Sequence, residues 1–519
     1  MFNDADVELY SRVDIYRLVS AVLNGIHQER EDLDDESIYY VEKLHQLEGV
    51  PEKILAQLKQ GEADHEGQVW VKTKVPHPFK IISHAKSEET RRKVYYAMKN
   101  RLPQNISLFR ELVLRRDEVA RLLEYPNYLA YKTADKMART PEKVITILDE
   151  IRQRIRPHAI KAADELLDLK IKDAIARRES AEDQKLFLWD ESFYAGIQLQ
   201  TESKIRSTIS EYFELYHTLN KLLELLGHIF DTRFELITPG QQSVLGDGKP
   251  LVWHRDVSMY AVWDTRKSDT KPVLLSLVGV RKLFHELGHL HHSLCTKVKY
   301  ASLSYIDRDF VEAPSLMFEQ FFWEARHIKD LSCHYSYISP EDKSVWLQEN
   351  KSMEEQPPAQ LSGKDVAELA TQDPQKLISR ENYNLFLSYF DILVHTPSTH
   401  EELEQANLAE MFNKLQTDIL AMHGGEAIGD GWDWSHGESV FRMIVSGYDA
   451  GYYTYVLGRV FALNMWNREF KTDSLDKDAA RRFRDTVFCV GGKQPEEKTL
   501  RDYLGHEPST SPYFEWLNI

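Results

Sequence analysis

Three residues near the middle of the chain, His285, Glu286 and His289, have the types and the spacing that a zinc ion and its catalytic base require. On a helix, residues four apart lie on one face about a turn apart, so His285 and His289 can offer two imidazole nitrogens to one ion. Glu286 is placed to take a proton from a zinc-bound water rather than to bind the metal. This His-Glu-x-x-His pattern predicts one Zn2+ per chain and a hydrolytic reaction.

The same pattern can arise by chance in a long helical protein, so the residues around it decide how it is interpreted. Apolar residues recur at helical spacing around the motif, and they are Leu277, Val280, Leu283, Phe284, Leu287 and Leu294. Such a stripe is typical of a buried amphipathic helix. We therefore expect the two histidines on a helix and not in a solvated loop.

A zinc site of this kind needs a third protein ligand. A metzincin would have Gly at 292 and His at 295, whereas this chain has His292 and Cys295, which excludes that class. The remaining option is a carboxylate from a following helix, and Asp309 and Glu312 both fall in the next predicted helix. Spacing alone does not choose between them, although Glu312 precedes Ala-Pro-Ser and resembles a helix start.

Three tyrosines near the C-terminus also have helical spacing. Tyr448, Tyr452 and Tyr455 stand at i, i+4 and i+7, so a helix would place their phenols on one face, where they could point into a cleft. Aromatic residues at this spacing more often pack in a core. From the residues alone, packing is the favoured interpretation of this tyrosine helix.

Three motifs in this order resemble the signature segments of one family. They are Phe284-His-Glu-Leu-Gly-His-Leu-His-His292, Asp309-Phe-Val-Glu-Ala-Pro-Ser315 and Gly447-Tyr-Asp-Ala-Gly-Tyr-Tyr-Thr-Tyr455. The chain is similar, from about Val69 to its C-terminus, to the thimet oligopeptidase and neurolysin family of zinc metallo-oligopeptidases, peptidase family M3.

The resemblance implies functions for individual residues. It assigns His285, His289 and Glu312 as the zinc ligands and Glu286 as the general base. In the family, tyrosines of the third motif reach across a deep channel toward the zinc, which implies that Tyr448 and Tyr452 bind substrate.

The remaining assignments concern groups around the metal. The tyrosine that matches Tyr455 donates a hydrogen bond to the developing oxyanion in the family, an interaction worth about 3 kcal/mol in a dry site. Glu319, two turns beyond Glu312, is a candidate hydrogen-bond partner for a ligand histidine. His291 and His292 are expected to pack rather than to bind the metal, because three ligands and a water already fill a catalytic site.

The chain departs from the family at two places. The family has a histidine shortly before the Gly-Tyr-Asp-Ala segment, and here Met443 stands instead, which cannot donate that hydrogen bond. Between Arg266 and Lys271 the family carries a long strand-rich stretch beside the zinc, and here only residues 267–270 separate them. Because substrate peptides commonly add a strand to a sheet edge, loss of this sheet would weaken capture of the peptide backbone. We therefore expect a shortened variant of the family.

Composition predicts a globular protein without nucleic-acid or membrane partners. The 65 Lys and Arg against 82 Asp and Glu give a net charge of -17, which repels phosphate backbones and anionic membranes. No run of about eighteen apolar residues occurs, and the acidic N-terminus has no apolar targeting segment. Three widely spaced cysteines predict free thiols. A cytoplasmic monomer acting on short peptides is the expectation.

The predicted fold is mainly α, with few short strands and two helical lobes flanking a deep substrate channel. Its expected segments are a first helical lobe (1–180), a zinc-binding catalytic lobe (181–388) and a C-terminal helical segment (389–519) with the tyrosine helix, packing back on the first lobe. A long helix is expected from Thr140, as cap, to Ala176, with Pro141 at its first position.

The function that these features favour is zinc-dependent endopeptidase cleavage of short peptides, an oligopeptidase activity. General peptide turnover and processing of one precursor peptide would leave the same motifs. A catalytically weakened relative that binds zinc and peptides is an alternative, because of Met443 and the short 267–270 gap. A zinc aminopeptidase would need a glutamate where Arg308 stands and a Gly-x-Met-Glu-Asn segment that is absent.

Overall fold

The computed structural model describes residues 38–41, 47–55, 59–60, 69–72, 77–202, 209–249, 251–252, 257–266, 273–277, 283–300, 303, 306–350, 355–371, 373–445 and 447–519. Over these residues the fold is mainly helical, which confirms the predicted class. No described helix has the length and apolar content that crossing a membrane would require.

The helices and strands follow one another in three stretches of the chain. The first stretch contains β1 (Ile38–Val41), α1 (Glu52–Leu55), β2 (Lys59–Gln60), β3 (Val69–Lys72), α2 (His77–Ile82), α3 (Glu88–Lys99), α4 (Asn105–Leu122), α5 (Tyr128–Thr133), α6 (Pro141–Ala176) and α7 (Glu191–Glu202). The second contains α8 (Leu215–Phe230), β4 (Thr232–Leu236), α9 (Pro239–Leu245), β5 (Ser258–Asp264), β6 (Val273–Leu277), α10 (Leu283–Cys295), α11 (Arg308–Phe322), α12 (Ala325–Leu331), α13 (Pro340–Glu349) and α14 (Gly363–Ala370). The third contains α15 (Pro374–Val394), α16 (His400–Gln405), α17 (Leu408–Leu420), α18 (Arg442–Val445), α19 (Thr454–Glu469), α20 (Lys477–Phe483), α21 (Glu496–Leu504) and α22 (Ser511–Leu517).

The chain divides into two compact units. The first unit comprises Met1–Ser203, Gln375–Val456 and Ile519, and the second comprises Lys204–Pro374 and Leu457–Asn518. The sequence expected boundaries near residues 180 and 388, whereas the two units divide after residues 203, 374 and 456. Residues after Val456 join the second unit because aromatic side chains such as Phe483 and Phe488 pack on Phe230 there.

The first unit contains the longest described helix, α6, of 36 residues. The Thr140 side chain accepts a hydrogen bond from the Lys143 backbone N–H, and Pro141 opens the helix, as the sequence predicts. Its buried residues recur at helical spacing, and they include Val144, Leu148, Ile151 and Ile155. This periodicity is why the helix could be predicted over its whole length.

The second unit contains an antiparallel sheet directly before α10. Its strand order is β4-β5-β6, and β5 pairs with β6 from Ser258 opposite Leu277 to Val262 opposite Val273. The short segment expected to mark the loss of a sheet thus joins two paired strands, and residues 267–272 lie outside the described residues. Strands from the two sides of the gap therefore pair with each other, and the expected loss of the strand-rich stretch between Arg266 and Lys271 stays a prediction.

Candidate active site

Two consecutive helices, α10 and α11, bring three potential metal ligands together. The Nε2 atom of His285 lies 3.2 Å from Nε2 of His289 and 3.2 Å from Oε2 of Glu312, and Nε2 of His289 lies 3.6 Å from the same oxygen. Ligand atoms that surround a zinc ion tetrahedrally at its usual distances are about 3.3 Å apart. The two nitrogens and the oxygen therefore fit a zinc ion, and within the described parts of the chain they form the one such group.

Helices α10 and α11 carry the motif residues as expected, but Leu277 and Glu312 are not placed as expected. The described helix α10 begins at Leu283, with Leu277 in strand β6 and Val280 outside the described residues. Helix α11 begins at Arg308, so Glu312 lies in its second turn rather than at its start. Asp309, on the first turn, is also buried but does not belong to the three-residue group.

Gly288 allows α10 and α11 to approach closely. A Cβ atom at this position would lie only 2.6 Å from the Cα atom of Ser315, a backbone atom of α11. Because a side chain here would force the helices apart, the glycine is required for their close contact. Gly288 lies between the two histidines in sequence, and Ser315 is one turn beyond Glu312, so the close contact occurs beside the potential ligands.

Glu286 follows the first histidine on α10, and its side chain is exposed, whereas the neighbouring Leu287 is fully buried. A general base must reach water and substrate, and an exposed carboxylate beside the histidines meets this requirement.

The Nδ1 atom of His285 is hydrogen-bonded on the side away from the ligand group. It lies 3.0 Å from Oε1 of Glu319, and Oε2 of Glu319 accepts a hydrogen bond of 2.8 Å from Arg459. Burial lowers the pKa of His285, but its bonds to Glu312 and Glu319 outweigh burial and raise this pKa to about 9. Burial raises the pKa of Glu319, while Arg459 and His285 together lower it to about 2. The sequence singled out Glu319 and missed Arg459.

His291 and His292 lie in the apolar core, as the sequence predicts. The His291 ring contacts Phe230 and Phe318, and its Nδ1 bonds the carbonyl oxygen of Leu287. The His292 ring packs on Phe488. Burial lowers the pKa of His291 to about 4 and that of His292 to about 3, so both rings are neutral near pH 7.

The sequence predicted that one helix carries Tyr448, Tyr452 and Tyr455, and this prediction is wrong. Helix α19 begins at Thr454, and Tyr448 and Tyr452 precede it in a series of turns. Positive φ angles at Gly447 (103°) and Ala450 (50°) are incompatible with a regular helix there.

The three rings nevertheless cluster. The ring centroids of Tyr448 and Tyr455 are 5.1 Å apart, and so are those of Tyr452 and Tyr455. The turns thus bring together the same side chains that a helix would have aligned.

Asp391, on helix α15, holds the turns before α19. Its carboxylate accepts hydrogen bonds from the backbone N–H groups of Ala450, Gly451 and Tyr452, at 2.8 to 2.9 Å. The Asp391 side chain is completely buried. A buried carboxylate bound to three consecutive N–H groups fixes the path of the backbone. Its signal in the sequence is one charged residue in the mostly apolar residues 385–394 of α15, which does not single it out.

The fold and the site together define a mainly helical protein with a two-histidine, one-carboxylate metal geometry on consecutive helices. The family model described as peptidase family M3 matches residues 81–270 and 265–519. The chain therefore belongs to peptidase family M3, which confirms the resemblance seen in its motifs.

Several relatives agree with this membership, and one solved structure shares the fold. Oligopeptidase PhomG' of Diaporthe leptostromiformis is 42% identical over 597 residues, covering 100% of this chain but 49% of the relative, so the chain spans about half of that protein. Oligopeptidase PhomG of the same organism is 40% identical over 629 residues, which cover 100% of this chain and 87% of the relative. Saccharolysin of Saccharomyces cerevisiae is 27% identical over 557 residues, which cover 94% of this chain and 72% of the relative. The structure of PZ peptidase A with inhibitor 2 has a TM-score of 0.53 at 14% identity, covers 98% of this chain and 76% of that one, and shares the fold.

Proposed function

We propose that this protein is a zinc-dependent metalloendopeptidase that hydrolyses internal bonds of short peptides. The observation that carries the proposal is the spacing of the His285, His289 and Glu312 ligand atoms, which fits a tetrahedral zinc ion. Membership of peptidase family M3 and the oligopeptidase names of the PhomG relatives support short peptides as substrates.

The chain's own residues would divide the reaction between them. His285, His289 and Glu312 would hold the zinc ion, which when bound polarises the scissile carbonyl and acidifies water. Glu286 takes a proton from the attacking water and passes it to the leaving amine. The Tyr455 hydroxyl donates a hydrogen bond to the developing oxyanion, an assignment that comes from the family resemblance.

Tyr448 and Tyr452 are proposed to bind the peptide, also by resemblance. The edge strand β6 could add a peptide backbone by strand pairing, because within the described sheet it pairs on one side only. We also propose action as a monomer in the cytoplasm. The net charge of -17 repels nucleic acids and anionic membranes, which supports the absence of such partners. Peptide turnover and precursor-peptide processing both fit this site.

A second candidate is a zinc- and peptide-binding relative with weakened catalysis. Met443, on the short helix α18, occupies the place where the motif pattern has a hydrogen-bond donor, and a thioether cannot donate. Such a protein would bind one zinc ion and bind peptides without cleaving them.

One experiment separates these candidates. Zinc-loaded protein is incubated with a mixed peptide library, and cleavage sites are identified by mass spectrometry. The matched control is Glu286→Gln, which keeps the size of an exposed side chain but cannot accept the proton.

The endopeptidase proposal expects internal cleavage by the parent protein and at least about a hundredfold less by Glu286→Gln, with zinc content unchanged. Zinc binding without cleavage would support the binding relative, and cleavage of N-terminal residues alone would indicate an aminopeptidase. If the parent protein binds no zinc, both candidate functions are wrong.

A further inference from the structure

Three helices meet at the side chain of Glu319, and the residues that meet there all belong to the second unit. Its Oε1 lies 3.0 Å from Nδ1 of His285 on α10, and its Oε2 lies 2.8 Å from an Nη1 atom of Arg459 on α19. Glu319 itself lies on α11, seven residues after Glu312. The carboxylate thus uses one oxygen for each of two neighbouring helices.

This arrangement determines which nitrogen of His285 is available to a metal. A carboxylate only accepts hydrogen bonds, so Nδ1 of His285 donates its proton to Glu319. With the Nδ1 proton held by Glu319, Nε2 is the nitrogen that can lose its proton to a metal, and it faces the group formed with His289 and Glu312. A carboxylate behind a metal-binding histidine fixes both its tautomer and its ring orientation.

Arg459 is itself held in place. Its side chain is 8% exposed, and its guanidinium carbon lies 5.3 Å from the ring centroid of Trp516. A Cβ at the preceding Gly458 would lie 3.4 Å from Cβ of Glu312, so the α19 backbone runs close to α11. A buried arginine with a fixed backbone can hold the Glu319 carboxylate in one orientation.

The second histidine, His289, has no equivalent carboxylate at its Nδ1 atom among the residues that the structure describes. The described hydrogen bonds and ion pairs of His289 involve its Nε2 atom, and none of them reaches Nδ1. The two histidines of the motif are therefore unequal, because among the described contacts only His285 has a carboxylate at its Nδ1 atom.

We propose that Arg459 and Glu319 form a positioning pair that preorients His285 and so sets the metal affinity of the site. Arg459 acts through Glu319, and Glu319 acts through His285, while neither touches the metal. The proposal rests on the proposed function, because it requires the metal site. It assigns a role to Arg459, 140 residues away in sequence from the carboxylate that it holds.

The test measures zinc affinity by competition with a chromophoric chelator, together with the visible absorption of the cobalt(II)-substituted protein. The variants are Glu319→Ala, Glu319→Gln, Arg459→Leu and the Glu319→Ala/Arg459→Leu double variant. The matched control is Glu469→Ala, which removes the partner of Arg482 from the same helix α19 and leaves the histidines untouched. Circular dichroism of the zinc-free proteins checks that each variant folds.

Glu319→Ala is expected to weaken zinc binding by about 10- to 100-fold and to shift the cobalt absorption bands, because His285 loses its orientation. Glu319→Gln, whose amide oxygen can still accept the Nδ1 proton, should recover part of this loss. Arg459→Leu should weaken binding less, and the double variant should bind like Glu319→Ala, because Arg459 acts only through Glu319.

Two results would overturn the positioning pair. One is a Glu319→Ala protein that binds zinc within twofold of the parent and has an unchanged cobalt spectrum. The other is a Glu469→Ala control that loses as much affinity as Glu319→Ala, because the effect would then be general to ion pairs of α19. If the parent protein binds no zinc, the proposed function fails and not only this inference.

Discussion

At the scale of the residue, Asp309 and Glu312 show how two buried carboxylates on one helix can differ. Both are at most 5% exposed, but only Glu312 places an oxygen within 3.6 Å of both histidine nitrogens. We predict that Glu312→Ala abolishes stoichiometric zinc binding, whereas Asp309→Ala retains it, as measured by elemental analysis after dialysis. Zinc loss in the Asp309 variant alone would reverse the ligand assignment.

Tyr455 carries the second prediction at this scale. Tyr455→Phe removes one hydroxyl and keeps the ring that contacts Tyr448 and Tyr452, so folding and zinc content should be nearly unchanged. An oxyanion contact forms mainly in the transition state, so kcat should fall by about a hundredfold while KM changes little. Steady-state kinetics on a peptide identified from the library would measure both constants. Full kcat in the variant would show that the tyrosine cluster serves packing alone.

At the scale of the element, the close contact of α10 and α11 at Gly288 has a measurable consequence. Gly288→Ala places a methyl group 2.6 Å from the Cα atom of Ser315, so the helices must separate, at a cost of about 1 to 3 kcal/mol of stability. The ligands of the two helices separate with them, and we predict at least about tenfold weaker zinc binding, or about 1.4 kcal/mol.

The control for this change is Gly240→Ala, on helix α9 of the same unit, where a Cβ would meet no atom within 4 Å. Thermal unfolding and chelator competition should leave this control close to the parent protein. If Gly288→Ala and Gly240→Ala had the same stability and the same zinc affinity, the α10–α11 contact would not set the geometry of the site.

The turns held by Asp391 give the second prediction for an element. Asp391→Ala removes the acceptor of the buried N–H groups of Ala450 and Tyr452, whereas the N–H of Gly451 keeps a bond to the carbonyl oxygen of Tyr448. We expect a loss of about 2 kcal/mol or more in unfolding free energy. Asp418→Ala, which removes a 46%-exposed partner of Arg152, should change it by less than about 1 kcal/mol. Thermal unfolding measures the stability of both variants against the parent protein. Zinc stoichiometry should survive both changes, because the three ligands lie in the other unit.

Sequence patterns predicted the parts of this structure that depend on contacts within one element or on a motif. The cap and length of α6 and the placement of the histidine pair on one helix belong to this group. Glu312 was assigned by the family resemblance, and its role as a ligand stays a prediction. Sequence patterns could not predict Asp391 and Arg459, which lie about 60 and 140 residues from their partners. The helical spacing of the tyrosines predicted a helix that does not form over the whole segment, because the backbone has positive φ angles at Gly447 and Ala450.

At the scale of the whole molecule, the proposed zinc ligands all lie in the second unit, on α10 and α11. Ligand binding stabilises the state that binds, by about 2.7 kcal/mol when the free ion exceeds its Kd a hundredfold. We predict that removing zinc speeds amide hydrogen exchange most strongly in peptides from residues 283–322. Hydrogen-exchange mass spectrometry measures this, with α6 of the first unit as the internal control. Faster exchange confined to α6 would contradict the site.

The three free cysteines differ in how they are buried, and this difference makes the protein easy to label. Cys295, at the end of α10, is buried, and burial raises its pKa to about 11, so its thiolate is scarce near pH 7. Cys489 is buried as well, whereas Cys333 is partly accessible and bonds through its backbone to Tyr212. A maleimide dye added to the native protein would therefore react first at Cys333. This gives a fluorescent handle on the metal-binding unit that leaves its histidine helix unmodified.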